Sequence, residues 1–279
     1  MTAAARGDVA HGNGSLVAGG SVVVGDQPTR GSAVHIDGVS KVFGQGKDRV
    51  AALDGIDLDI APGEFVCLVG ASGCGKSTLL NLIAGLDGPT SGSVTSDGRT
   101  TLMFQESALF PWLTVGANIS LALKLRGVPR SQRAERVREL LTSVQLDGFG
   151  DRRPHELSGG MRQRVAIARA FAQEVDVLLM DEPFGALDAM TRDLLHDELE
   201  RLWVERGLTV VFVTHNVREA VRLADRVVLL SSRPGRVVEQ FPVDVERPRR
   251  IESPEVSTLA GEITARLRQE VRRHAADVV

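Results

Sequence analysis

A glycine-rich stretch that ends in lysine and serine contains the residues best suited to bind phosphate. Residues 70–77 read GASGCGKS and fit the pattern G-x-x-x-x-G-K-[ST]. Glycines let successive backbone N–H groups turn inward, and the helix start behind them favours an anion. Lys76 would then reach the β- and γ-phosphates of a nucleotide, and the Ser77 hydroxyl would be a ligand for Mg²⁺. The predicted nucleotide-binding residues of this stretch are Gly70, Ser72, Gly73, Cys74, Gly75, Lys76, Ser77 and Thr78.

Two carboxylates directly follow a short apolar run. Residues 177–180 read VLLM, and Asp181 and Glu182 come next. Because the carboxyl ends of parallel strands face the ligand crevice, Asp181 would hold Mg²⁺ beside the Ser77 ligand. Glu182 is then free to polarise a water that attacks the γ-phosphorus. Alone, this pattern also fits a solvated acidic turn, but the phosphate-binding stretch upstream favours the catalytic interpretation.

A second anion-binding helix start lies between these two motifs. Residues 157–163 read LSGGMRQ, in which a small hydroxyl residue, Ser158, and two glycines open a helix. A single ATP does not need two such sites within one chain. From about residue 34 to residue 243, the order of the three motifs resembles the nucleotide-binding subunits of ATP-binding cassette (ABC) transporters.

The resemblance implies ATP and Mg²⁺ as ligands and gives roles to three further residues. Phe43, in VSKVF, matches the aromatic residue that stacks on adenine, and Gln105, in MFQES, matches the glutamine that senses Mg²⁺ and the attacking water. His215, in FVTHN, matches the switch histidine on the γ-phosphate. Each of these residues alone also fits an ordinary structural position. The implied catalytic residues are Glu182, His215 and Gln105, and the implied Mg²⁺ ligands are Ser77, Gln105 and Asp181.

The resemblance also implies a head-to-tail dimer with a second copy of the chain or a homologous ATPase subunit. Each ATP would lie between the phosphate-binding stretch of one subunit and the LSGG stretch of the other. Residues 186–188, which end in Asp188, resemble the loop that crosses between the subunits. The signature residues expected to act in trans are Ser158, Gly159, Gly160 and Gln163.

Alternating apolar runs and helical patterns must position these residues. Residues 64–69 have the continuous apolar texture of a strand buried on both faces. Strands that alternate with helices predict parallel pairing through right-handed crossovers. Strands are predicted at 34–43, 53–60, 64–69, 177–180, 208–213 and 227–230, and helices at 76–84, within 114–146, at 159–172, around 195–202 and at 217–224.

The expected fold is α/β: a P-loop nucleoside-triphosphatase domain of the ABC type. The resemblance implies a RecA-like core, an antiparallel β subdomain and a helical subdomain at about 106–160. The predicted domains are a disordered leader at 1–32, the ATP-binding domain at 33–243 and a helical tail at 244–279, with its last helix at about 255–274. The tail is locally basic, with arginines at positions 247, 249, 250, 266, 268, 272 and 273. It could contact anionic lipid, but a solvated face is the favoured interpretation.

The composition fits a globular protein that has no transmembrane segments and no disulfide framework. The chain has 279 residues, 43% apolar and 25% charged, and its formal net charge of −3 argues against a nucleic-acid partner. No apolar run approaches the ~20 residues that cross a bilayer, and residues 1–20 lack a signal-peptide pattern. Two cysteines, Cys67 and Cys74, fit a reducing cytoplasm. Cys74 is interpreted as a small residue pointing away from phosphate rather than a redox switch.

Three stretches resemble the importer branch for nitrate, sulfonate, taurine and bicarbonate. They read FQESALFPWLTVGANI, DEPFGALDAMTRDLLHDELERLW and LLSSRPGRVVEQFPVD. The apolar residues 107–113 are predicted to dock transmembrane permease subunits, although a core-facing loop is the alternative. These partners, with a periplasmic or lipid-anchored solute-binding protein acting indirectly, imply a peripheral location on the cytoplasmic face of the membrane. The solute cannot be read from the chain, and a subunit of an exporter or of an importer for another solute is the alternative.

Overall fold

The phosphate-binding stretch joins a buried strand to a helix in the computed structural model, which describes residues 33–277. The predicted leader at 1–32 lies outside the described residues. The strands are β1 (Val34–Phe43), β2 (Val50–Ile60), β3 (Phe65–Gly70), β4 (Ser91–Ser96), β5 (Thr100–Met103), β6 (Val177–Asp181), β7 (Thr209–Val213), β8 (Arg226–Leu230) and β9 (Val237–Pro242). The helices are α1 (Lys76–Ile83), α2 (Val115–Leu125), α3 (Arg130–Ser143), α4 (Gly159–Phe171), α5 (Ala189–Arg206), α6 (Val217–Leu223) and α7 (Pro254–Asp277).

A six-stranded sheet in the order β5-β6-β7-β3-β8-β9 carries the candidate site. The first five strands are parallel, as the alternation of strands and helices predicts. Strand β9, which the sequence pattern did not resolve, pairs antiparallel with β8. Only residues 231–236 connect these two strands. Because parallel pairing needs a longer crossover connection, such a short link allows only antiparallel pairing.

A smaller antiparallel sheet in the order β2-β1-β4 packs over one face of the large sheet. Strand β1 pairs with both neighbours, so Val34 lies opposite Ile60 on β2 and Ser96 on β4. The apolar side chains of this small sheet join those of α1 and of alternate residues of β3 in one buried cluster. The phosphate-binding stretch is thereby fixed between two sheets.

Strand β3 is buried on both faces, which explains its unbroken apolar sequence. Val66 and Leu68 face α1 and the small sheet, whereas Phe65, Cys67 and Val69 belong to the cluster built with α4, α5, α6 and α7. Helices on both faces of a mostly parallel sheet are the usual way to cover such a strand. Burial raises the pKa of the Cys67 thiol well above its ordinary value, so this cysteine stays protonated.

The C-terminal residues are integrated into the core. On α7, Val256, Ala260 and Ile263 are buried in the cluster beside α6, and their spacing places them on one face of the helix. Within residues 33–277, no helix combines the length and the apolar content needed to cross a bilayer. The domain boundaries at 106–160 and 244–279 stay predictions.

The arginines that precede α7 are structural. Arg247 pairs with Glu200 at 2.7 Å and with Asp225 at 3.0 Å, and its guanidinium lies 4.5 Å from the Trp203 ring centroid. Arg249 is only 5% exposed and donates hydrogen bonds to four backbone carbonyls. The prediction of a solvated basic face is therefore wrong for Arg247 and Arg249, because their donors are used to close chain segments against the core.

Candidate nucleotide-binding site

The phosphate-binding loop is packed so closely that two of its glycines have no room for a side chain. Gly75 has φ of 100°, and a Cβ there would lie 2.6 Å from Leu53 Cδ2 and 2.8 Å from the Ala52 carbonyl oxygen. At Gly70 a Cβ would lie 2.7 Å from Cys74 Sγ. These contacts hold the loop backbone against β2 and against its own Cys74. Packing therefore requires glycine at Gly70 and Gly75, and the positive φ of Gly75 favours glycine there as well.

The ammonium group of Lys76 lies inside the loop. Its side chain donates to the carbonyl oxygens of Gly70 and Ala71, both at 3.0 Å, and the residue is only 8% exposed. The loop thus concentrates positive charge at the start of α1, where the helix dipole also favours an anion.

A cleft of about 480 Å³ opens over this loop. Phe43, at the end of β1, lies at the cleft and is 43% exposed, so its ring can be covered by a ligand. Cys74, by contrast, is buried and does not line the cleft, in agreement with a side chain that points away from phosphate. The cleft is lined by Phe43, Val50, Ala52, Gly70, Ser72, Gly73, Gly75, Lys76, Ser77, Thr78, Gln105, Glu182, His215 and Arg233.

Two of the three predicted protein ligands for Mg²⁺, Ser77 and Asp181, are in contact. The Ser77 side chain hydrogen-bonds to the Asp181 carboxylate, and burial raises the pKa of Asp181 while this hydrogen bond opposes the rise. No group of three or more His, Cys, Asp or Glu side chains suited to a metal occurs within residues 33–277. A hydroxyl and a carboxylate nevertheless fit Mg²⁺, which is commonly held by one or two protein oxygens together with phosphate oxygens and water.

The three predicted catalytic side chains meet above neighbouring strands. Gln105 follows β5, Glu182 follows β6 and His215 follows β7. Gln105 Nε2 donates to Glu182 Oε2 at 3.3 Å, and His215 Nδ1 lies 3.3 Å from the same oxygen. Residues separated by more than a hundred positions converge because parallel strands end at the same edge of the sheet.

Glu182 adopts an unusual backbone conformation. Its φ is 46°, a left-handed value that costs a non-glycine residue roughly 1–2 kcal/mol. Its N–H donates to the Val213 carbonyl oxygen at 3.0 Å, which ties the residue to the end of β7. Such strain persists where the surroundings fix it and is concentrated at functional sites.

A buried polar network, which no sequence motif predicted, connects the elements that carry Glu182 and His215. His196 on α5 is fully buried, and its Nε2 lies 2.8 Å from Glu219 Oε1 on α6. The second Glu219 oxygen accepts a hydrogen bond from the Thr214 hydroxyl, next to His215. Phe184, two residues after Glu182, packs edge-on against the His196 ring at 4.9 Å between centroids. No local motif marks such residues, because their partners are distant in sequence.

The LSGG stretch begins α4 outside the cleft. Ser158 caps α4 by accepting the N–H of Met161 at 3.2 Å. A Cβ at Gly160 would lie 3.2 Å from the Ala186 carbonyl oxygen, so the signature packs on the loop that ends in Asp188. Asp188 caps α5 through the Thr191 N–H at 3.0 Å. The structure groups Ser158, Gly159, Gly160 and Gln163 away from the cleft-lining residues, and their roles in trans stay predictions.

One further cation at the cleft was not predicted. Arg233, between β8 and β9, donates from Nε to the Gly73 carbonyl oxygen at 3.2 Å and lines the cleft. Its stretch, LLSSRPGRVVEQFPVD, indicated only a branch of the family from sequence. An arginine next to a proline carries no general signal for nucleotide binding.

Comparison with known proteins identifies close relatives of this architecture. The family model for ABC transporters matches residues 53–185. The chain is 46% identical over 267 residues to an aliphatic sulfonates import ATP-binding protein of Mesorhizobium japonicum, covering 91% of this chain and 98% of that one. It is 46% identical over 228 residues to a nitrate import ATP-binding protein of Synechocystis sp., covering 77% and 86%. A solved dimeric ATP-binding cassette, in a post-hydrolysis state with ADP and Pi, superimposes with a TM-score of 0.70 at 34% identity, covering 76% of this chain and all of that one.

Replacing Glu182 by glutamine should abolish turnover without abolishing ATP binding. The amide keeps the shape of the side chain but cannot accept the proton of an attacking water, and loss of a general base lowers rates by about 10²-fold or more. Phosphate release and the dissociation constant of ATP measure the two effects, and dimers trapped with ATP should appear on gel filtration. Glu106→Gln removes an exposed carboxylate beside Gln105 and serves as the control. Near-wild-type turnover in Glu182→Gln would remove Glu182 from the catalytic role.

Replacing His196 by leucine should destabilise the chain, because the buried Glu219 carboxylate loses a hydrogen-bond partner. An unsatisfied buried polar group costs about 1–3 kcal/mol, and a charged group costs more. His196→Gln retains an N–H donor toward Glu219 and should lose less. Urea denaturation measures the free energy of unfolding of the three proteins. A His196→Leu variant as stable as wild type would show that the network contributes nothing to the fold.

Proposed function

The chain belongs to the ABC transporter family of ATP-binding proteins, and from this membership we propose that it drives the uptake of a small anion through separate membrane subunits. It is an ATP-hydrolysing cassette with the fold of that family. The proposed solutes are an aliphatic sulfonate, taurine, nitrate or bicarbonate. Support comes from relatives whose names specify import of sulfonates and of nitrate.

The observation that carries the proposed mechanism is the separation of the cleft from the LSGG stretch. Among the described residues that line the cleft, none comes from the signature at 158–163. Two incomplete sites on one chain become complete when two chains pair head to tail, so that Ser158 and Gly160 of one subunit close the ATP site of the other. The similar solved cassette is a dimer with ADP and Pi bound, which supports this arrangement.

Within one composite site, the residues of this chain would divide the work as follows. Phe43 stacks on the adenine ring, and Lys76 and the backbone of the glycine-rich loop bind the phosphates. Ser77, Asp181 and Gln105 would hold Mg²⁺, which neutralises charge on the β- and γ-phosphates when bound. Glu182 Oε2 accepts the proton of the attacking water. His215 and Gln105, both within 3.3 Å of that oxygen, position the carboxylate and the γ-phosphate.

A groove between β5 and α2 supports docking of a membrane subunit. The groove has a volume of about 660 Å³. It is lined by Phe104, Phe110 and Leu125, which are large apolar residues exposed to solvent. Trp112 beside it is 68% exposed, and its ring lies 5.5 Å from that of Phe110. An exposed apolar surface of this kind marks a binding site for a partner. We propose that a short helix of the permease occupies this groove, which would locate the chain peripherally on the cytoplasmic face of the membrane.

The loop that forms the groove rim is held rigidly from behind. Asn118 is fully buried and accepts the Phe110 N–H at 2.9 Å, while its amide donates to the Thr114 carbonyl oxygen at 2.9 Å. Arg169 donates to the carbonyl oxygens of Ser107 and Ala108. The apolar side chains at 107–113 are thus presented on a fixed backbone, which lowers the entropy lost on binding.

Mixing two inactive chains should restore ATP hydrolysis. Lys76→Ala removes the phosphate contact and Ser158→Arg blocks the signature, so each variant alone has two defective composite sites. A mixed dimer contains one site in which both halves are intact. Phosphate release should therefore rise well above that of either variant when the chains are combined, but stay below half the wild-type rate, because only some of the dimers are mixed. Equal inactivity of the mixture would contradict action in trans.

The solute can be identified with the complete transporter. After co-purification with its permease subunits, ATP hydrolysis should rise when a binding protein loaded with a sulfonate, taurine, nitrate or bicarbonate is added. Leu125→Asp places a charge in the groove but leaves the cleft intact, so this control should lose stimulation while retaining ATP binding. Stimulation by a different solute, or transport in the outward direction, would overturn the anion-import assignment and leave the ATPase assignment standing.

A further inference from the structure

The turn between β8 and β9 is fixed against both sides of the nucleotide cleft. Gly235 donates its N–H to the Ala52 carbonyl oxygen at 2.9 Å, and its own carbonyl accepts the Asp54 N–H at 3.0 Å. A Cβ on Gly235 would lie 2.1 Å from the Cys74 carbonyl oxygen. The turn is therefore wedged between β2 and the phosphate-binding loop, at a distance that only glycine allows.

This anchoring places Arg233 beside the loop that would bind phosphate. Arg233 Nε donates to the Gly73 carbonyl oxygen at 3.2 Å. The same side chain lines the cleft together with Lys76 and Ser77. One N–H of the guanidinium thus holds the side chain in place, and an arginine has four further N–H donors with which to bind a ligand in the cleft.

The charge of Arg233 lacks a partner, in contrast to that of its neighbour Arg236. In the described part of the chain, no carboxylate lies within ion-pair distance of Arg233, and Gly73 supplies its one hydrogen-bond acceptor. Arg236, three residues later, pairs with Asp54 through Nε at 2.9 Å. An arginine that is positioned by backbone, unpaired and directed to an anion-binding cleft is complementary to phosphate oxygens, which its planar group can bind in a bidentate manner.

We propose that Arg233 is a second cation of the nucleotide site and binds the polyphosphate chain of ATP beside Lys76. The inference rests on the proposed ATP site and adds a contact from the β8–β9 turn. It also gives a function to the SSRPGR stretch, in which glycine fixes the turn and arginine reaches the ligand.

Arg233→Gln tests the contact sharply. The amide nitrogen of glutamine occupies the position of arginine Nε, so the hydrogen bond to Gly73 can be retained while the charge and the remaining donors are removed. With Mg²⁺ and the β,γ-imido analogue of ATP, we expect Arg233→Gln and Arg233→Ala to weaken binding by about tenfold or more, the scale of a charge-assisted hydrogen bond. Inorganic tripolyphosphate, used as a competitor, should lose affinity to the same extent.

The matched control is Arg236→Gln, which makes the same change on a surface ion pair and should bind the analogue within about twofold of wild type. Wild-type affinity in Arg233→Gln with weak binding in Arg233→Ala would overturn the proposal, since Arg233 would then only brace the loop. Loss of affinity for the analogue but not for tripolyphosphate would also overturn it, by moving the contact to the nucleoside. Failure of the wild-type chain to bind the analogue would contradict the proposed ATP site itself, a separate result.

Discussion

The close approach of backbone segments around the phosphate-binding loop is the constraint on which the rest of the structure depends. Gly75 lies against Ala52 and Leu53, and Gly235 lies against the carbonyl group of Cys74, at distances that exclude a side chain. These contacts join the small antiparallel sheet, the large parallel sheet and the β8–β9 turn at one place. Because a close-packed interior transmits small shifts, the cleft cannot change shape at one of these segments without displacing the others.

The proposed catalytic groups depend on a second constraint, the common edge at which parallel strands end. This edge brings Gln105, Glu182 and His215 within 3.3 Å contacts, but strand ends alone do not fix loops. Buried His196 adds rigidity to the loops after β6 and β7. Its ring contacts Phe184 on the loop after β6, and its Nε2 contacts Glu219 on α6, the helix that follows the loop after β7. Hydrogen bonds are strengthened in a low-dielectric interior, and here Glu219 accepts such bonds beside the two loops that carry Glu182 and His215.

The sequence predicted those parts of the fold and the site whose determinants are local. The apolar run of β3, the glycine-rich loop and the carboxylates at the end of β6 are continuous in sequence, and their placement in the structure agrees with the pattern. The β9 strand was missed because its residues, which include Glu239, Gln240 and Pro242, lie at the sheet edge and alternate only weakly. His196, Glu219 and Arg233 were missed because their significance arises from partners 23 and 160 residues away. The burial of Arg249 was mispredicted for the same reason, since a local basic cluster says nothing about the carbonyl groups that surround it.

Around the LSGG stretch, residues that are distant in sequence are likewise in contact in the structure. Gly160 packs against Ala186, and Asp188, two residues further, caps α5. Helix α5 carries His196, whose contact with Glu219 leads to Thr214 beside His215. A continuous series of packed and hydrogen-bonded residues therefore runs from the signature to the catalytic groups of the same chain. In the proposed head-to-tail dimer, the signature of one subunit contacts the ATP that is bound to the partner subunit. Through this series of residues, that ATP is connected to the elements that hold Glu182 and His215 in the first subunit.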